Sequence, residues 1–444
     1  MGFSIKDVLY NKASSLIHLE TEPGLGCTEP ASIGLCAAVA AAALDSKDFE
    51  TISVTVDANI YKNAMGVIIP NADGDGGVDL AAALGACAGD SKLGLQVFSS
   101  VTHEGLAKAK TLLAENRVTT GIKQDAHGLF VNISLTAGGH TAEATIQGAH
   151  DNVVRLCVDG QEQAVSGSAG AGNTADDELA RLKEWLLALS LHDILEIVEG
   201  LDTNDFAYIK EGLALNTALV EYGLAKGPGI AVGKTQMGLV RQGLIKKDMV
   251  RWAAIRAAAG IDSRMGGVPL PAMTLAGSGN QGIAAGMPVL AAAEFASVES
   301  ESVVLRAVML SYLVTCYIKA AAGLLSALCG SGIAGGAGVA AAVAYLFGAR
   351  YDQINNAINN HLGSTVAVVC DGAKTGCALK VGSLIGQGVN SALLALNGCA
   401  IKPTDGIVNQ FAENTMREMG DLSSKGLSSM DPTILGIMLA KRAG

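Results

Sequence analysis

The period of the apolar positions changes along this chain, and the changes divide it into segments. Residues 3–20 carry apolar side chains at Ile5, Val8, Leu9, Leu16 and Ile17, which predicts a helix. The decapeptide TEPGLGCTEP (21–30) holds two prolines and two glycines and reads as a turn, with Thr28 or Glu29 able to cap the next helix. Ala31 to Leu44 is almost wholly apolar and predicts that helix, buried. Between 51 and 69 the pattern alternates at Ile52, Val54, Val56, Ala58 and Ile60, which predicts a strand with one wet face. Helices are expected near 79–89 and 102–115, and strands near 117–123, 128–136, 140–148 and 151–158. Residues 161–177 are rich in Gly, Ala and Ser and read as a linker. Beyond them the pattern is helical, with helices expected at 176–190, 192–200, 204–225, 236–259, 283–296, 302–327, 335–348, 351–361, 378–397 and 430–442.

The expected fold class is α+β. A smaller α+β domain covers 50–160 and a mostly helical domain covers 178–444, with the helices of 1–49 packing on the latter. Composition agrees with close helix packing: half of the residues are hydrophobic, only 4% are aromatic, and 55 are glycine. The net charge of −11 argues against a nucleic-acid surface or an anionic membrane as partner. The stretch between Lys319 and Arg350 lacks charge and has the length of a membrane span. Its centre, GSGIAGGAGVA, is expected to break into a turn between two buried helices, so no membrane segment is expected. MGFSIKDVLYNK has no apolar signal core, and nine cysteines without an export signal point to the reducing cytoplasm. Apolar helices leave room for a homodimer.

Candidate chemistry concentrates in 361–380, HLGSTVAVVCDGAKTGCALK. Cys370 and Cys377 bracket DGAKTG, where Gly372 and Gly376 suit positive φ and Lys374 sets a cation beside two potential thiolates. Packing as small hydrophobes is the bland alternative. Cys329, at a helix end before glycines, supplies a third loop cysteine. Three such thiols could hold three irons of a [4Fe–4S] cluster or a three-cysteine zinc site. Cys36, Cys87, Cys157 and Cys316 lie in apolar patterns and are expected in the core, and Cys399 is ambiguous. The hexapeptide GSGNQG (277–282) matches a dinucleotide fingerprint, but no strand precedes it and no βαβ unit surrounds it. It remains a candidate anion site, with Ser278, Gly279, Asn280 and Gln281 at a helix start and Arg264 upstream as a carboxylate binder. Lys62 and Asn63 are expected at a strand end, and His150 in a turn, where a histidine is usually structural.

GCTEPAS (26–32), KNAMG (62–66), the DSRMGG–LPAM–GSGNQG run (262–282), SALC (326–329) and CDGA with the following C-A-L-K (370–380) resemble the one-chain L-cysteine desulfidase family. The helical half also resembles the α domain of iron–sulfur L-serine dehydratases. The resemblance covers essentially the whole chain. It implies a [4Fe–4S] cluster on Cys329, Cys370 and Cys377, a functional cysteine at Cys27, and breakdown of L-cysteine to pyruvate, ammonia and hydrogen sulfide without pyridoxal phosphate. Lys319, His361 and Cys399 receive no role from it.

On this reading the chain is a lyase of cysteine catabolism. Cys27 takes the α-proton, its thiol expected to be acidified by a helix N-terminus. GSGNQG and Arg264 hold the substrate carboxylate, and Asn63 is a weaker contact. The same elimination on L-serine is the nearest rival, and a non-catalytic iron–sulfur redox sensor is a remote one.

Overall fold

The computed structural model describes residues 5–123, 126, 128–165, 174–202, 206–323 and 326–442. In chain order the first part runs α1 (Ile5–Glu20), β1 (Pro23–Leu25), α2 (Thr28–Ala42), β2 (Phe49–Val56), α3 (Ala58–Ala64), α4 (Val78–Ala88) and α5 (His103–Ala114). Strands β3 (Val118–Ile122), β4 (Phe130–Ala137), β5 (His140–Gln147), β6 (Val153–Val158) and β7 (Gln161–Glu162) come next. The second part is helical: α6 (Thr174–Ala188), α7 (Leu191–Gly200), α8 (Ala207–Lys226), α9 (Val232–Arg241) and α10 (Met249–Met265). A short β8 (Pro271–Met273) precedes α11 (Gly279–Phe295), α12 (Glu301–Ala322), α13 (Gly330–Leu346), α14 (Tyr351–Ser364), α15 (Cys377–Leu396), α16 (Ala412–Asp421) and α17 (Met430–Arg442).

Strands β2 to β7 form one sheet in the order β3-β2-β4-β5-β6-β7, antiparallel except for the parallel β2–β3 pair. The alternation at Ile52, Val54 and Val56 buries these side chains completely, in register with Leu135, Ile133 and Val131 of β4. Helices α2 and α4 cover that face, so the apolar side chains of sheet and helices share one core. The strand expected to run to 69 ends at Val56, because Asp57 caps a new helix by accepting from Asn59 N and Ile60 N. Lys62 and Asn63 therefore sit on α3, not at a strand end. The residues of 1–49 divide between two cores: α1 packs with α6, α7 and α12, whereas α2 packs on the sheet. Most of the expected linker, 166–173, lies outside the described residues, and its flanks are β7 and the first turn of α6.

The second core is built from α8 and α10–α15. The glycine-rich run expected to form a turn lies inside α13. The chain reverses earlier, after α12, where Gly323 takes φ 84°. Glycine inside a helix usually weakens it, but here the missing side chains admit neighbours. A Cβ at Gly338 would lie 2.4 Å from the Ser311 carbonyl, and one at Gly336 would lie 2.3 Å from the His361 ring. Among the described residues two helices, α12 and α15, are long and apolar enough to cross a membrane. Burial inside the protein covers 78% of the apolar window of α12 and 50% of that of α15. The expected 236–259 helix is split into α9 and α10, and α10 continues to Met265, which puts Arg264 in its last turn. Helix α16 and the strands β1 and β8 have no counterpart among the expected elements.

Candidate functional site

Strands β1 and β8 pair antiparallel, Pro23 with Met273 and Leu25 with Pro271. This ribbon carries the GCTEP turn to the GSGNQG loop, and Thr28 Oγ1 donates to the Gly277 carbonyl at 3.4 Å across 249 residues of sequence. Gly26 takes φ 72° at the bend, and Cys27 becomes the N-cap residue of α2. Ser278 is the N-cap residue of α11, so the glycine loop is itself the first helical turn. Gly279 makes room for Arg264: a Cβ there would lie 2.2 Å from the Arg264 Nε. Arg264 Nη1 donates to Asn280 Oδ1 at 3.1 Å.

A second set of contacts assembles the thiols. Leu328 and Val369 form an antiparallel bridge, with Cys329 N donating to the Val368 carbonyl at 2.9 Å and Cys370 N to the Ala327 carbonyl at 2.8 Å. A further bridge joins Gly66 to Lys374. Gly372 takes φ 93°, and a Cβ on it would lie 2.6 Å from the Lys62 carbonyl. The expectation of positive φ holds for Gly372 and fails for Gly376, which lies at φ −63° as the N-cap residue of α15. Cys329 caps α13 and Cys377 opens α15. Four helix N-termini, those of α2, α11, α13 and α15, thus supply residues to one place, where their dipoles favour anions.

That place is a cavity of about 110 Å³ between the two cores. Cys27, Asn63, Arg264, Ser278, Asn280, Gln281, Cys329, Cys370 and Cys377 line it. Gly279 alone of the expected set does not. The cavity adds Glu29, His150 and Lys319. In sequence Glu29 reads only as a cap; its place beside Cys27 in GCTEP is the available signal. His150 reads as a turn residue and Lys319 as a residue without a role, and nothing in the local pattern distinguishes either. Cys36, Cys157 and Cys316 are buried, Cys36 with its thiol on the Ala144 carbonyl at 3.2 Å, whereas Cys399 is exposed. His361 is buried outside the cavity, with Nε2 at 3.1 Å from the Gly332 carbonyl.

Two electrostatic clusters face each other. In one, the Cys27 thiol donates to Glu29 Oε2 at 2.8 Å, Thr28 Oγ1 donates to the same oxygen at 3.1 Å, and Asn63 Nδ2 donates to Oε1 at 2.9 Å. Burial pushes the Cys27 thiol well up, and the Glu29 carboxylate pushes it further. The expected acidification of Cys27 is thereby reversed: it caps a helix, but burial beside a carboxylate outweighs the dipole. For Glu29 burial acts upward, yet His150, the Cys27 thiol and Arg264 together hold it below its ordinary value. Burial also lowers His150, against the opposing pull of Glu29, Asp151 and Asp57.

In the other cluster, burial raises the Cys329 thiol to about 12 and also raises Cys377. Lys319 is lowered to about 8 by burial, and its Nζ donates to the Gly323 carbonyl at 2.8 Å. Lys374 and Lys380 both reach Asp371 Oδ1, at 2.6 and 2.5 Å. Against the upward effect of burial they hold that carboxyl at about 2. Among the described residues no three His, Cys, Asp or Glu side chains are gathered tightly enough to hold one metal ion. A tetrahedral zinc ion needs its sulfurs about 2.3 Å from a single centre. A four-iron cluster carries each thiolate on a different iron and spaces them more widely.

The fold and the cavity define a two-core α+β protein with thiols, cations and a carboxylate converging at the seam. The family model described as the serine dehydratase alpha chain matches residues 92–436. A UPF0597 protein of Desulfatibacillum aliphaticivorans is 41% identical over 444 residues, covering 100% of this chain and 99% of the relative. A UPF0597 protein of Desulfotalea psychrophila is 43% identical, with 99% of each chain covered, and one of Geobacter sulfurreducens is 36% identical, with 96% and 98% covered. The chain belongs to the serine dehydratase alpha chain family, a family of lyases associated with iron–sulfur serine dehydratases.

Proposed function

We propose that this protein eliminates the β-substituent of a small L-amino acid without pyridoxal phosphate, with L-cysteine as substrate and pyruvate, ammonia and hydrogen sulfide as products. One observation carries the reading. The thiols of Cys329, Cys370 and Cys377 share a small cavity with three side chains whose buried polar atoms have no partner among the described residues: Arg264 Nε, Asn63 Oδ1 and His150 Nε2. Buried polar atoms are rarely left unpaired. An amino acid brings both of the groups they lack. Its carboxylate suits Arg264, Asn280, Ser278 and Gln281 at the N-terminus of α11, and its ammonium suits the Asn63 oxygen.

The donor set fits a [4Fe–4S] cluster. Three thiols would ligate it, two of them at helix N-termini, and Lys319 and Lys380 offset the negative charge that their thiolates bring. When bound, such a cluster supplies a soft Lewis acid for the departing sulfur. The chain's own residues handle the proton. Glu29 accepts the Cys27 proton along the 2.8 Å hydrogen bond as the Cys27 sulfur takes the α-proton, in one concerted shift that leaves no free thiolate beside the carboxylate. The aminoacrylate released tautomerises and hydrolyses in water to pyruvate and ammonia.

L-Serine is the second reading, favoured by the description of the matched family; hydroxide would then leave in place of sulfide. The deciding experiment is anaerobic purification, iron and acid-labile sulfide analysis, and pyruvate assays on both amino acids. Cys27→Ala and Glu29→Gln should keep the iron and lose about 10²- to 10⁴-fold in kcat. An iron-free wild type, or a Cys27→Ala protein with full turnover, would contradict this mechanism.

A further inference from the structure

We propose that His150 relays the removed α-proton from Glu29 to the departing heteroatom, an assignment that rests on the elimination reading above. His150 sits in the loop between β5 and β6, where Gly148 takes φ 84° and its N–H bonds the Leu129 carbonyl at 3.1 Å. The loop delivers an imidazole from the sheet into the cavity, only 6% exposed and with no partner for Nε2 among the described residues. A histidine packed in an apolar core or solvated at the surface would have no such position.

The groups that act electrostatically on the ring come from four segments: Glu29 of α2, Asp57 before α3, Asp151 of the same loop and Arg264 of α10. Asp57 is occupied, accepting from Asn59 N, Ile60 N and Phe130 N. Both Glu29 oxygens already accept hydrogen bonds, from Asn63 on one side and from Cys27 and Thr28 on the other. A carboxylate stabilised in this way is a poor resting place for a proton. It serves better as a conduit, and a neutral imidazole in the same cavity is the acceptor it needs.

The balance closes without an oxidant or reductant. The Cα–H bond breaks and its electron pair forms the Cα–Cβ double bond. The Cβ–S or Cβ–O pair leaves on the heteroatom. The Cys27 proton passes to Glu29, the α-proton replaces it on sulfur, Glu29 protonates His150, and His150 protonates the leaving group, which departs as hydrogen sulfide or water.

The test uses the full-length, cluster-loaded protein. His150→Gln should lose about 10²- to 10⁴-fold in kcat with KM held. It should also lose one limb of the pH–rate profile while keeping wild-type iron, acid-labile sulfide and Tm. In His150→Ala, added imidazole should restore part of the rate. Wild-type kcat and pH profile in His150→Gln would overturn the relay. So would a rate loss that tracks lost iron or a lowered Tm and does not respond to imidazole. A wild type that forms no pyruvate from L-cysteine or L-serine would overturn the elimination reading together with the relay, whereas an active wild type with an unaffected His150→Gln overturns the relay alone.

Discussion

The two walls of the cavity are made differently. The sheet-side wall supplies Glu29, Asn63 and His150, to which the proposed mechanism gives the handling of the proton, on a helix start, the end of a short helix and a strand loop. The helical wall supplies Cys329, Cys370 and Cys377 with Lys319 and Arg264, all held on long helices or on a loop bridged between two of them. The first wall is knit by side-chain hydrogen bonds centred on Glu29. The second is knit by backbone hydrogen bonds and by the close approach of glycine-rich helices. Rigid spacing suits ligands that must span a fixed group, and short polar contacts suit groups that exchange protons. Cys27 stands at the joint, packed with the helical core yet bonded to Glu29 of the other wall.

The largest effect should come from the helical wall. Cys329→Ala, Cys370→Ala or Cys377→Ala should each abolish stable iron and acid-labile sulfide uptake and remove turnover altogether, read by metal analysis and absorbance after anaerobic purification. A variant with full iron would mean that the three thiols are not the ligand set. A smaller effect is expected at the joint between wall and substrate. Gly279→Ala sets a methyl group on the Arg264 side chain, displacing the guanidinium, and should raise KM about 10- to 100-fold, the worth of one charged hydrogen bond. Steady-state kinetics check this, and an unchanged KM would move the carboxylate elsewhere.

An effect outside the two walls concerns acid stability. Burial holds His361 at about 4 in the folded protein, while an unfolded histidine titrates near about 6.5. Between those values the unfolded chain binds more protons, so stability is present above the upper value and is lost as pH falls through the window. The loss is on the order of 3 kcal/mol at its fullest. Denaturant titrations of wild type and His361→Gln across that range should converge toward acid, since the variant lacks the titrating group. Parallel curves would assign the acid sensitivity to other groups.

Much of this arrangement is legible in the chain, and the exceptions have physical causes. The strands at 118–122, 130–137, 140–147 and 153–158 stand close to their expected bounds, and 130–137 buries every second side chain against the covered face of the sheet. The cysteines at 329, 370 and 377 stand out because loop thiols among glycines are unusual. The glycine run in α13 reads as a turn because backbone freedom is visible in sequence and the surrounding helices that exploit it are not. An acidified Cys27 is what the helix dipole alone implies; burial, with the carboxylate two residues on folded back onto the sulfur, reverses it. Lys319 enters the site through tertiary packing, which no local spacing encodes.

The ribbon of β1 with β8 has a consequence for the order in which the molecule is made. It closes a loop of roughly 250 residues, and distant closures of this kind are slow and come late. The thiols lie within the last third of the chain and can gather from contacts far nearer in sequence. On a growing chain the sheet half, at 49–162, is therefore made first from its own near contacts, the helical half gathers as it emerges, and the two dock last. Before that docking the cavity has only one wall and lies open to solvent.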